Sequence, residues 1–368
     1  MRDLRRVLKC RAALIVVCVG SGREAEVCSL ESIQAERASG AFVRFHLSPP
    51  SPPLPPQGGK GEVRARGLAT LSRVIWIGKL TCASFLLGLL LLDSGLATAG
   101  EPLQLTHDGR AKFTTLVLPE GQEAWYVEYE TPRIYRLMKV NLKTGATARL
   151  HPEAVTGEFE PAMSADGKAY AYLKLIGALR ISVVVRERNG TQLYEIPPGE
   201  GLSGLRGPAL SPDHATLAYV FPDAALQHIH LATNSGATRR QFTSGANMNH
   251  WPNFSPDGKR IVFGSNRDGN YELYSADLNG NDLKRLTNSP YQDIRPKFSP
   301  DGRRIAFVSH RDNNFEIYVM NADGSSPVRI THNVERDDYP SWHPNGKQLL
   351  VVSERDGRHD LYFYDVPQ

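Results

Sequence analysis

An all-β fold, a six-bladed β-propeller, is what this sequence predicts, on three observations. A short turn motif recurs six times after residue 100 at nearly constant spacing. Each interval contains four strand-like segments. No segment in that region sustains a helical period.

The turn motif is Ser-Pro-Asp-Gly, written in full at Ser255–Gly258 and Ser299–Gly302. Weaker copies are His343-Pro-Asn-Gly346, Ser211-Pro-Asp-His214, Ser164-Ala-Asp-Gly167 and Leu118-Pro-Glu-Gly121. Their first positions, 118, 164, 211, 255, 299 and 343, are separated by 46, 47, 44, 44 and 44 residues. A period in this range belongs to propellers or solenoids, and the content of each unit decides between them. After the turn at 255–258, Lys259–Ser265 is a β-branched and aromatic run. Arg267-Asp-Gly-Asn270 is a hairpin turn, because Asp-Gly accepts positive φ. Tyr271–Ala276 alternates like a half-buried strand, Asn279-Gly280 turns again, and Leu283–Thr287 is a short fourth strand. Four antiparallel strands per unit make one propeller blade.

The last unit stops at Leu361-Tyr-Phe-Tyr364, its third strand. The fourth-strand pattern of Arg285-Leu-Thr and Arg329-Ile-Thr331 reappears at the start of the region as Leu103-Gln-Leu-Thr106. The N-terminal strand is therefore expected to complete the last blade and to leave no open sheet edge. A solenoid would need polar capping repeats instead.

The first hundred residues differ. Residues 1–72 contain the Pro-rich run Leu47–Pro56, which suits neither helix nor central strand, and read as a non-native or disordered upstream extension. Residues 73–99 read as a signal peptide. Arg73 and Lys79 are the positive flank, Phe85–Leu92 the apolar stretch, and Ala97-Thr-Ala99 the cleavage site. The apolar stretch is well short of the roughly 20 residues a membrane helix needs, so no span is expected in the mature chain. The true start is expected near Leu71 or Val74. Residues 100–368 are then the propeller.

Charge and cysteine divide at the same place. Residues 1–99 carry a formal +6 and residues 100–368 a formal −2, and all four Cys lie before residue 100. A near-neutral propeller gives no electrostatic reason to expect nucleic-acid binding. Without Cys it has neither disulfide nor thiolate metal site. No phosphate loop, zinc signature or Gly-x-Ser-x-Gly elbow follows residue 100, and no cofactor is expected.

The consensus Ser-Pro-Asp-Gly-(Lys/Arg)-Arg-Ile, then Ser-x-Arg-Asp-(Gly/Asn)-Asn-(Tyr/Phe)-Glu-(Leu/Ile)-Tyr, then Arg-(Leu/Ile)-Thr resembles the WD-like repeats of the TolB family. The match runs from about 102 to 368. It is strongest in blades four and five, clear in six and degenerate in one to three. The resemblance implies a periplasmic or secreted bacterial protein that binds rather than catalyses, with a protein partner such as an envelope lipoprotein. A monomer is expected. TolB carries an α/β domain before its propeller; here the propeller follows the signal segment directly.

Residues that recur in every blade are explained by what every blade needs. Asp166, Asp257 and Asp301 should hold their turns. Arg267/Asp268, Arg311/Asp312, Arg355/Asp356 and the repeating Tyr274, Tyr318 and Tyr362 should be scaffold. Function is expected where blades differ, just before each inner strand at the channel mouth. There lie Glu158, Glu160, Asn249, His250, Trp251, Asp293, Arg295, Asp337, Asp338 and Tyr339. Aromatics, one Arg and several acids suit a peptide or protein loop. The alternative is a lyase or hydrolase acting on a sugar polymer, with Arg295, His250 and His332 brought together. His228-x-His230 places two imidazoles on one strand face but has no third ligand nearby in sequence.

Overall fold

The computed structural model describes residues 101–131, 134–177, 180–199, 204–223, 226–233 and 235–367. The expected signal peptide and upstream extension lie outside the described residues. The described chain is six four-stranded antiparallel sheets. Blade four is typical: Asn249–Phe254 innermost, then Arg260–Asp268, Asn270–Asp277 and Lys284–Arg285. The innermost strands of the other blades are Lys112–Val117, Glu158–Met163, Arg206–Leu210, Asp293–Phe298 and Asp337–Trp342. Each touches the inner strand of the next blade around the ring, the first touching the sixth.

The recurring motif builds the turn from the first to the second strand. In Ser255-Pro-Asp-Gly258 the Ser255 hydroxyl donates to Asp257 Oδ1 at 2.6 Å, and the same oxygen accepts the Lys259 amide at 3.1 Å. Ser164/Asp166 and Ser299/Asp301 repeat the pair of bonds. Gly258 takes φ = 69°, a left-handed conformation that costs Gly nothing. In blade three His214 occupies that position at φ = 52°.

Six apolar clusters hold the blades together, and each straddles one junction between neighbours. One spans blades six and one through Leu350, Val352, Leu361 and Phe363 on one side and Val117, Ala124 and Tyr126 on the other. Blades five and six share another around Val308, Ile317, Trp342 and Val351. The recurring Arg–Tyr pairs are scaffold here: Arg267, Arg311 and Arg355 stack on Tyr274, Tyr318 and Tyr362 at 4.6, 4.6 and 4.1 Å.

Leu103–Gln104 is hydrogen-bonded to Arg358–Asp365 as the fourth strand of blade six. The reason is side-chain chemistry. In blades four and five an Arg (Arg285, Arg329) donates to the carbonyl of the Thr two residues on and to a buried Glu (Glu272, Glu316). Gln104 reproduces this, donating to the Thr106 carbonyl at 2.8 Å and to Asp360 at 3.3 Å. The Thr106 hydroxyl donates to Asp360 at 2.7 Å and accepts the Leu361 amide at 2.9 Å.

Candidate functional site

Every innermost strand loses register at one point, between Phe113/Thr115, Phe159/Ala162, Arg206/Ala209, His250/Asn253, Ile294/Lys297 and Asp338/Ser341. Each of these β-bulges carries one residue at positive φ: Thr114, Glu160, Gly207, Trp251, Arg295 and Tyr339, between 44° and 56°. Five precede a proline, which has no amide to offer the ladder and so suits a bulge. A left-handed non-glycine residue costs roughly 1–2 kcal/mol. The strain recurs at five bulges because each turns one side chain out of the pleat; in blade three Gly207 takes the position without strain. All six residues line a single cavity of about 1110 Å³ at the ring centre.

The cavity has two unlike walls. Blades one and two supply Phe113, Val127, Tyr135, Phe159, Leu175 and Ile181. From Tyr339 the rings run edge to face through Phe113 to Tyr135, at centroid spacings of 6.2 and 6.2 Å, and Tyr135 packs tilted on Phe159 at 5.7 Å. Blades three to six supply Arg206, Trp251, Arg295, Lys297 and Tyr339. The Arg295 guanidinium stacks between Tyr339, at 4.4 Å, and Trp251, at 5.4 Å. Its Nη1 makes no hydrogen bond and lies 3.4 Å from Asp338. Glu160 reaches across to blade three, where its carboxylate accepts the Gly207 amide at 2.6 Å. Burial raises the Glu160 pKa, while that amide and Arg206, Arg295 and Lys297 oppose the rise. Burial lowers the Lys297 pKa, and Glu160 opposes it. His250 packs on Trp251 at 5.1 Å. Burial, then Arg206 and Arg295, pushes its pKa down to about 4, so it is neutral near pH 7.

Of the ten residues expected at the channel, Glu160, Trp251, Arg295 and Tyr339 line the cavity. The other six are not among its lining residues, so the several acids expected with them lie elsewhere. Glu158, Asn249, Asp293 and Asp337 sit two residues before the bulge, where the ordinary pleat turns them toward the adjoining blade. All four are buried. Glu158 bonds His151 at 2.8 Å. Asn249 meets His228 and receives Arg267. Asp293 receives Arg311. Asp338, one residue before the bulge, is buried and held by Arg336. His250 stands behind Trp251. The bulge inserts one residue, so counting back from the Pro does not keep side chains on one face.

Sequence reasoning missed Thr114, Arg206, Lys297 and the apolar wall. Blade one has Thr115 where the other blades have Pro, which hid Thr114. Leu175 and Ile181 come from the second and third strands of blade two, which no motif marked. The arrangement of Arg295 with His250 and His332 does not form: His332 is exposed in the loop after Val328–Arg329. His228 is buried against Asn249, and His230 packs on Phe221 at 5.2 Å. Among the described residues no group of three or more His, Cys, Asp or Glu is placed to hold a metal ion.

Residues 125–293 match the sequence family described as the TolB beta propeller domain. Residues 272–367 match the Tricorn protease N-terminal beta propeller domain. Among solved structures the chain is similar to a putative TolB from Agrobacterium tumefaciens, at 18% identity and a TM-score of 0.55, covering 72% of this chain and 93% of that one. It is similar to TolB from Acinetobacter baumannii at 21% identity and a TM-score of 0.52, covering 69% and 63%. An oligogalacturonate lyase in complex with manganese matches at 19% identity and a TM-score of 0.51, covering 72% and 80%. At these identities the likeness is one of fold.

Proposed function

We propose that this TolB-like six-bladed β-propeller is a non-catalytic scaffold of the bacterial envelope that grips a protein partner in its central channel. The observation that carries the reading is the ring of bulges. The residues that repeat are consumed by turns and blade junctions, whereas the six bulge residues differ from blade to blade and converge on one cavity. Side chains turned out of the ladder at a cost in backbone strain are characteristic of binding positions. A half-buried Trp–Arg–Tyr stack beside an apolar wall is the composition of a protein-binding hot spot.

The reading makes Trp251 and Tyr339 the anchors. Replacing both by Ala should lower recovery of the partner in a pull-down by roughly tenfold or more. Undiminished recovery by the double variant rejects the channel as the site. The likeness to an oligogalacturonate lyase favours a second reading, catalysis on a sugar polymer in the same cavity. A polysaccharide activity screen with metal analysis of the purified protein separates the two. Turnover together with a stoichiometric ion would favour the enzyme.

A further inference from the structure

The cavity carries an excess of positive charge that the sequence did not lead one to expect. Arg206 and Arg295 are cations, and His250 adds no charge near neutral pH. Glu160 and Lys297 oppose one another across the space, and they sum to zero whether both are charged or both are neutral. Asp338 touches Arg295, but it is matched by Arg336, which donates through Nε at 2.9 Å and again through Nη2. Two positive charges are left over, set against an apolar wall of Phe113, Tyr135, Phe159, Leu175 and Ile181. Arg206 is exposed, whereas Arg295 is largely buried and shares Asp338 with Arg336; a cation so held gains from an arriving carboxylate.

We infer that the channel takes an acidic–apolar loop of a protein partner, its carboxylate meeting Arg206, Arg295 and Lys297 while its neighbouring apolar side chain packs on the wall from blades one and two. The inference rests on the reading of the channel as the partner site. Arg295 suits such a ligand: Trp251 and Tyr339 fix the plane of its guanidinium, whose Nη1 is buried beside Asp338 while Nη2 donates to the Tyr339 hydroxyl at 3.4 Å. A guanidinium held in a fixed plane matches carboxylate geometry. The far wall selects protein over an acidic sugar. Leu175 and Ile181 offer nothing to sugar hydroxyls, which would lose their water without a partner.

The test uses the full chain and fluorescence anisotropy with fluorescein-labelled Gly-Ser-Phe-Glu-Leu-Glu-Ser-Gly. Its counterparts carry Gln or Lys in place of both Glu. The Glu peptide should bind at least roughly tenfold more tightly than the Gln peptide, and the Lys peptide should bind least. Binding should vanish in Trp251→Ala, fall roughly tenfold in Lys297→Met, and fall as salt rises. Arg206→Gln changes an exposed side chain, so it keeps the test valid should the Lys297 variant misfold; it should weaken the Glu peptide severalfold. Glu160→Gln should tighten it, because a carboxylate facing Arg206, Arg295 and Lys297 is gone.

Equal binding of Glu and Gln peptides, lost in Trp251→Ala, would overturn the inference and leave the channel reading standing. Absence of binding by all three peptides overturns it as well, and the channel reading then stands or falls on the pull-down. Tighter binding of tri-galacturonate than of the Glu peptide would overturn the choice of a protein loop.

Discussion

Asp337 shows how far one residue can depart from its repeat. In blade five the equivalent Asp293 receives Arg311 at 3.1 and 2.9 Å. In blade six Tyr364 stands where blades four and five have Ala276 and Met320, and it draws the Arg355 guanidinium to its hydroxyl at 2.8 Å. Asp337 is left fully buried, with neither oxygen accepting a well-formed hydrogen bond. Burial pushes its pKa up to about 7; Glu316 adds to the rise, while the Ser353 and Thr331 hydroxyls and Arg355 oppose it. The sign follows from proton uptake. Below about pH 4 the carboxyl is protonated in folded and unfolded chains alike and costs nothing. Between about pH 4 and 7 only the folded chain holds the proton, so stability falls as pH rises and then levels off. Asp337→Asn should flatten that slope and stabilise the protein by a few kcal/mol at about pH 8. Urea midpoints across pH for the two proteins check it, and parallel profiles would refute it.

At the scale of the element, one threonine adds to the ladder that holds the fourth strand in blades three to six. Thr243, Thr287, Thr331 and Thr106 each accept the amide of a third-strand residue, Ile229, Leu273, Ile317 and Leu361, at 2.9 Å. Thr106 adds a bond to Asp360, which also faces the buried amine of Lys112. Thr106→Val keeps the shape and removes both bonds. It should cost about 1–3 kcal/mol, because the Leu361 amide and one Asp360 oxygen lose partners away from water. Chemical denaturation reads the loss directly, and a change under about 0.5 kcal/mol would show that the hydroxyl does not hold this strand. The Arg-Leu-Thr pattern was legible in the sequence because these bonds require those side chains. The bulge was only half legible: Pro marked five of the six, but nothing in the strand told which neighbours the inserted residue would turn away.

For the whole molecule, six apolar clusters at six junctions make a closed ring of nearest-neighbour interfaces. An open array of repeats can fray from its ends, whereas a ring whose last blade is completed by its first strand has no end to fray. Equilibrium unfolding of the propeller should therefore be a single transition. Trp125, Trp251 and Trp342 report from blades one, four and six, and their fluorescence should coincide with far-UV circular dichroism. Deleting Leu103–Thr106 should separate the two probes and lower the midpoint. Coincident, unshifted curves after the deletion would mean that closure does not couple the blades.

The sequence by itself determined the strand count, the turns and the six-fold period, because those are local matters of chain geometry and of bonds between near neighbours. Only the tertiary structure decided the sign of the channel. Glu158, Asp293, Asp337 and Asp338 are adjacent to the bulge residues in the chain, yet the pleat sends the first three into the blade junctions and Arg336 binds the fourth. Arg206, Lys297 and the wall of Phe113, Leu175 and Ile181, drawn from four blades, meet only when the ring closes. A face of a strand is set by its pairing, and a cavity is set by which strands face one another; neither is a property of any one stretch of residues.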